Sequence, residues 1–185
     1  MPRDETQEAI SSRAVGVLFF AGFGSLWLII GLAAMHRLHI VGAAVVVAVL
    51  GLLVIPAMRL LRAASQAPAV AAGTKRESEI SRAFTRINTI QWLAVAAAII
   101  LLNVLKQPVF IPAAIAIIVG LHLFPLARLF RYNTHYVTGS LLVLWPLGAA
   151  ALLPREEIPS ICSLGTAVIL LGSAAYTLTG AMRAG

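Results

Sequence analysis

Long apolar runs alternate with short polar stretches along the whole chain. Each run holds about 20 residues, the length that a helix needs to cross the ~30 Å hydrocarbon core of a bilayer. The runs show no alternation with a period of two, so transmembrane strands are not expected. The six predicted spans cover residues 14–34, 40–58, 87–105, 109–127, 136–153 and 161–182. The pattern therefore predicts an all-α fold, a polytopic membrane bundle of six transmembrane helices.

The composition supports a membrane location. Hydrophobic residues make up 60% of the 185 positions and charged residues 11%, whereas about 25% of a typical soluble domain is charged. The mean hydropathy is +0.93. A soluble fold of this size has too little polar surface to cover so many apolar side chains. A soluble enzyme and a disordered chain are therefore excluded, and the single Cys162 excludes an intrachain disulfide.

The excess of basic residues predicts the orientation of the helices. The chain has 14 Lys and Arg against 7 Asp and Glu, and cytoplasmic loops of membrane proteins collect the basic residues. With the N-terminus inside, eleven of the 14 lie on the cytoplasmic side, and only Arg37, Lys106 and Arg155 lie outside. We therefore expect both termini in the cytoplasm. Nucleic acid is not an expected partner, because no basic stripe lies on a groove-reading element.

The spans pair into three helical hairpins within one transmembrane domain, residues 1–185. The hairpins cover residues 14–58, 87–131 and 136–183, and residues 59–86 form a basic cytoplasmic loop and a helix extension. Thr74 and Glu77 have the spacing of a capping box, and no proline follows them until Pro108. We therefore expect the third helix to begin near Lys75 and to run for about 45 Å.

Two of the hairpins share a repeated segment. Residues 51–62 align without gaps to residues 120–131, with identical residues at six of twelve positions. The match predicts that the first two hairpins are parallel repeats, and it leaves open whether the third hairpin is a repeat.

The repeated segment predicts two pairs of equivalent features. The two prolines, Pro56 and Pro125, are expected to kink the last turn of their helices, with a stop signal and a gating hinge as the alternative roles. The two arginine pairs, Arg59 with Arg62 and Arg128 with Arg131, are expected to fix the topology and to contact anionic lipid headgroups. A site for an anionic substrate is the alternative for these arginines.

The second copy of this segment carries a family resemblance. Residues 120–131, followed by Tyr136-Val-Thr-Gly139, resemble segments of small uncharacterised bacterial membrane proteins. The resemblance implies a bacterial cytoplasmic (inner) membrane, and it implies no mechanism.

A few polar residues are expected at membrane depth, where an ionisable residue suggests function. Counting from mid-span places His122 about 5 Å, and Gln91 about 8 Å, to the cytoplasmic side of the midplane. Ser140, Tyr176 and Thr177 fall at similar depth. These five residues are the predicted substrate-binding layer or polar pathway, with His122 as its titratable group. The alternative is structural, since a histidine that hydrogen-bonds across helices contributes only about 0.6–2 kcal/mol.

The sequence is compatible with two functions. One is a small transporter or channel for a neutral or weakly charged solute, and the other is a non-catalytic scaffold, assembly or regulatory subunit of a membrane complex. No catalytic constellation is recognisable, so we expect no enzyme activity. No metal and no cofactor are expected either. The expected partners are the lipid bilayer with its anionic headgroups, and either a second copy of the chain or another membrane protein.

Reporter fusions test the predicted orientation. A fusion after Pro154 should report the outside and a fusion after Gly185 the inside, because six spans return the chain to its starting side. A C-terminal reporter on the outside would mean that the number of spans is odd or that the orientation is inverted.

Overall fold

The computed structural model describes the backbone of residues 3–65 and 75–184 and the side chains of residues 13–63 and 78–183. Within these residues, the chain forms helices that are joined by short turns. The helices are α1 (Arg3–Ala34), α2 (Ile40–Ser65), α3 (Lys75–Val104), a 3-10 turn (Pro108–Phe110), α4 (Ile111–Phe130), α5 (Thr134–Leu152) and α6 (Ile158–Ala184). All six α-helices are long and apolar enough to cross a membrane. The prediction of an all-α fold with six transmembrane helices is confirmed.

Two helices extend beyond their apolar spans. The third helix begins at Lys75, as predicted, and contains 30 residues. Thr74 and the side chain of Glu77 lie outside the described residues, so the capping box stays a prediction. The second helix continues past the end of its predicted span to Ser65. Pro56 therefore lies nine residues before the end of α2 and not in its last turn, as was expected, and the leucines and alanines that follow it favour a helix.

Three helices end in the same way. His36, Lys106 and Arg131 have positive φ angles of 54°, 55° and 51°. The residue after each donates its N–H to a carbonyl five positions earlier, which is the Schellman motif. These bonds are Arg37 to Leu32 at 2.8 Å, Gln107 to Leu102 at 2.8 Å and Tyr132 to Ala127 at 3.0 Å. Glycine is usual at this position, but here all three residues are basic types, which suit the negative end of a helix dipole.

The described chain divides into two compact units. The first unit contains α1, α2 and residues 167–184 of α6, and the second contains α3, α4, α5 and residues 158–166 of α6. In the first unit α1 packs against α2. A glycine on α1, Gly24, also lies against α6, since a Cβ added there would be 2.8 Å from Cγ of Leu171.

In the second unit, the backbones of α4 and α5 approach each other closely at two glycines. A Cβ added to Gly120 would lie 2.7 Å from the carbonyl oxygen of Gly139, and a Cβ added to Gly139 would lie 2.7 Å from the carbonyl oxygen of Gly120. The two backbones therefore touch without intervening side chains. Close approach of this kind promotes helix association in membranes, where apolar side chains gain nothing by leaving lipid. Leu142 and Leu123 pack on either side of the contact.

A second close contact joins α5 to α6. The indole of Trp145 lies against Gly165, whose missing side chain leaves the space for the ring. Its Nε1 donates a hydrogen bond of 3.2 Å to the carbonyl oxygen of Ile161. Trp145 therefore has a packing role at this contact. Further along, Arg155 donates to Oε1 of Gln107 at 3.3 Å, which links the α5–α6 turn to the α3–α4 turn.

We predict that Gly120→Ala and Gly139→Ala each lower the free energy of unfolding by about 1–3 kcal/mol. The added methyl group would collide with a carbonyl oxygen of the facing backbone, which cannot rotate away as a side chain can. The measurement is reversible unfolding by SDS titration in mixed micelles.

Gly148→Ala on α5 is the matched control, because its added methyl group would meet no atom within 4 Å. It should leave stability unchanged or raise it by up to about 1 kcal/mol, since alanine favours a helix over glycine. Equal effects of all three substitutions would mean that the α4–α5 crossing does not depend on these glycines.

Candidate functional site

His122 lies on α4, two residues after the contact with α5, and its side chain is half-buried. Both ring nitrogens are shielded from solvent, and neither makes a hydrogen bond to a described residue. The backbone of Val119, one turn earlier, lies close to the ring. Buried polar atoms are nearly always hydrogen-bonded, so this ring has capacity to bind a polar group.

Gln91 is a second buried polar side chain of the same unit. It is 9% exposed, and its Oε1 accepts no hydrogen bond from a described residue. In the described part of α3, only Gln91 and Val95 are buried. These two residues are four positions apart, so they share the face of α3 that packs in the unit, where α4 is its neighbour. The amide of Gln91 therefore lies on the buried face of α3, while apolar side chains occupy its exposed face.

The sequence analysis missed His135. It lies in the first turn of α5, and its ring meets the ring of Tyr132 edge-on at 5.1 Å between centroids. It is close enough to His122 for their charges to interact. The layer around His122 therefore has a second titratable side chain. The short α4–α5 turn could have indicated this position for His135. A turn of three residues places the start of α5 beside the last turns of α4.

Aromatic rings surround this end of the second unit. Phe124 of α4 lies 6.0 Å from Tyr136 of α5, and Phe130 of α4 lies 6.0 Å from Phe84 of α3. These contacts join all three helices at the end near His135.

The predicted polar residues are divided between the two units. Ser140 is half-buried and follows Gly139, so it lies at the height of the Gly120 contact, close to the level of His122. Thr177 is buried and belongs to the first unit, as does Tyr176, which is 68% exposed. The second unit therefore holds His122, Gln91 and Ser140.

The predicted arginine pairs and prolines lie on α2 and α4 or at their ends. All four arginines, Arg59, Arg62, Arg128 and Arg131, are exposed, and Pro56 and Pro125 lie inside their helices. The two pairs differ in one respect. Arg62 lies within α2, whereas Arg131 follows the last residue of α4 in a left-handed conformation.

The repeat also provides a reference for His122. The equivalent residue in the first hairpin is Leu53, which is 6% exposed. The same position is thus an apolar packing site in one copy of the repeat and an imidazole in the other. A leucine fits the local helix pattern, so the histidine is not required for the helix itself.

We predict that His122→Leu leaves the free energy of unfolding unchanged or raises it by about 1–3 kcal/mol, because it removes buried polar atoms that have no described partner. Gln91→Leu should act in the same direction. Asn103→Leu on α3 is the control, since its exposed amide already donates to the carbonyl oxygen of Ile99 at 2.8 Å. Unfolding by SDS titration measures all three. A loss of about 0.6–2 kcal/mol in His122→Leu would show that the ring is hydrogen-bonded across helices.

Sequence and structure comparisons place this chain in a family without an assigned activity. No curated protein and no solved structure matches it. The family match covers residues 4–179, which includes all of α2 to α5 and the polar residues described above. The chain belongs to DUF7010, a family of unknown function.

Proposed function

We propose that this protein binds a small, neutral, hydrogen-bonding solute in the α3–α5 part of the second unit, as the binding step of a transporter or channel. The observation that supports this is the set of three shielded polar atoms without a described partner: Oε1 of Gln91 and both ring nitrogens of His122. In hydrocarbon, where water does not compete, each unmade hydrogen bond is costly. A solute that bonds to these atoms recovers that free energy.

The chemistry of the site favours a solute with both donors and acceptors. A neutral imidazole offers one donor and one acceptor, and the Gln91 oxygen is an acceptor. Asp and Glu are absent from residues 9–76 and 80–155. The apolar spans therefore lack the carboxylate that usually binds a sodium ion or carries a coupled proton. Amides and polyols fit this pattern better than ions.

The proposed location is the bacterial cytoplasmic membrane with both termini inside. The distribution of basic residues supports this orientation. In it, the end of the second unit that carries His135 and the aromatic rings faces the cytoplasm, and the Arg155–Gln107 contact faces outward.

Flux through liposomes tests the proposal. The purified protein is reconstituted, and stopped-flow light scattering follows the permeation of water, glycerol and urea as separate probes. We expect at least one probe to enter faster than in protein-free liposomes. His122→Leu should reduce that increment at least about tenfold, the effect of losing one good hydrogen bond in a buried site.

Asn103→Leu serves again as the control and should retain the flux. Equal rates with and without protein for all three probes would overturn the proposal for neutral solutes. Unchanged flux in His122→Leu, at equal protein content, would remove His122 from the pathway.

A second candidate function is supported by the exposure of α3. Its outward face carries Ile90, Leu93 and Ile100, which are 57–66% exposed, together with Trp92 at 52%. A helix with so little buried surface is suited to contact another membrane protein, as an assembly or regulatory subunit would. The flux measurement separates the two functions, because an assembly subunit conducts none of the three probes.

A further inference from the structure

A shallow groove runs along the outward face of α2, and it is independent of the polar site in the second unit. We name it the α2 groove. Its lining residues are Val47, Ala48, Gly51, Leu52, Ile55, Pro56 and Arg59, and its volume is about 480 Å³. All of them belong to one helix, at the spacing of a single face. Val47, Leu52 and Ile55 are 56–74% exposed.

Small residues create the groove. Ala48 and Gly51 lie between larger side chains, and a Cβ added to Gly51 would meet only Cδ1 of Ile55, at 3.9 Å. The floor of the groove is therefore backbone, and its walls are aliphatic. Such a shape fits an unbranched hydrocarbon chain.

The length and the charge of the groove identify its occupant. From Val47 to Arg59 the helix rises about 18 Å, which is close to the ~15 Å of hydrocarbon in one leaflet. The apolar stripe ends at the exposed guanidinium of Arg59. Arg62 follows one turn later, and residues 9–76 contain no carboxylate that would attract an ammonium headgroup. A guanidinium pairs with phosphate through two parallel hydrogen bonds.

We propose that the α2 groove binds one molecule of an anionic phospholipid, with an acyl chain along Ala48 and Gly51 and the phosphate on Arg59. The basic pair selects an anionic headgroup over a zwitterionic one, because a positively charged headgroup amine would be repelled. The bound lipid is a specific ligand of this face and exchanges more slowly than its neighbours.

The repeat supplies a matched control within the same chain. Arg128 occupies the position of Arg59, and Gly120 occupies the position of Gly51. Gly120 is covered by Gly139 of α5, whereas a Cβ added to Gly51 would contact only the Ile55 side chain of its own helix. The α4 copy therefore keeps the arginine but lacks the open groove, and we expect it to bind no lipid of this kind.

Native mass spectrometry tests the proposal with two probes, dioleoyl phosphatidylglycerol and dioleoyl phosphatidylcholine, titrated onto the detergent-purified protein. The wild-type protein should bind one phosphatidylglycerol with at least about tenfold preference. Arg59→Gln should abolish the preference, and Gly51→Leu, which fills the groove and keeps the charge, should reduce binding about tenfold. Arg128→Gln and Gly172→Leu, an exposed glycine of α6, should each change binding less than about twofold.

Three outcomes would overturn the proposal. The first is equal binding of the two lipids by the wild-type protein. The second is an equal loss in Arg59→Gln and Arg128→Gln, which would indicate general charge attraction. The third is a dimer that Gly51→Leu converts to a monomer, which would show that a second copy of the chain occupies the groove. Ala48→Leu fills the same space and replaces Gly51→Leu if that variant does not fold.

Discussion

The backbone contact between Gly120 and Gly139 fixes the arrangement on which the second unit depends. In a bilayer the apolar side chains of α4 and α5 are as well placed in lipid as against each other, so burial alone does not join the helices. Two glycines at the same height remove the side chains that would hold the backbones apart. The contact sets the height of α5 against α4, and with it the positions of Ser140 and His122.

The imidazole of His122 and the amide oxygen of Gln91 differ from most of the hydroxyl groups in the described helices. Most hydroxyl groups with a described hydrogen bond donate to a carbonyl of their own helix, as Ser163 does to Pro159 and Ser173 to Ile169. Such a bond satisfies the donor, and only the acceptor lone pairs of the hydroxyl remain for a ligand. The imidazole of His122 and the amide oxygen of Gln91 have no such local partner. They therefore keep their binding capacity, at a cost in stability that is typical of functional sites.

The repeat shows how one sequence motif takes two environments. In α2 the shared Gly-Leu…Pro…Arg pattern lines an open groove, and in α4 the same glycine lies in a helix crossing. Leu53 and His122 occupy equivalent positions with opposite polarity. The two copies of the segment thus share the proline and the arginines, whereas their glycines and their buried positions have different surroundings.

The sequence alone determined the number of helices, their approximate ends and the start of α3 at Lys75, because helix length and apolar content follow directly from bilayer thickness. It also identified His122 and Gln91 as polar residues at membrane depth. Only the tertiary structure decided which faces these residues occupy, that His135 interacts with His122, and that Tyr176 faces outward. The reason is that lipid-facing and protein-facing sides of a transmembrane helix are equally apolar, so the pattern carries almost no information about helix rotation. The rotation depends instead on a few close contacts, such as Gly120 with Gly139 and Trp145 with Gly165. The partners in each contact lie on different helices, and glycine occurs at many other positions, so the sequence does not show which residues meet.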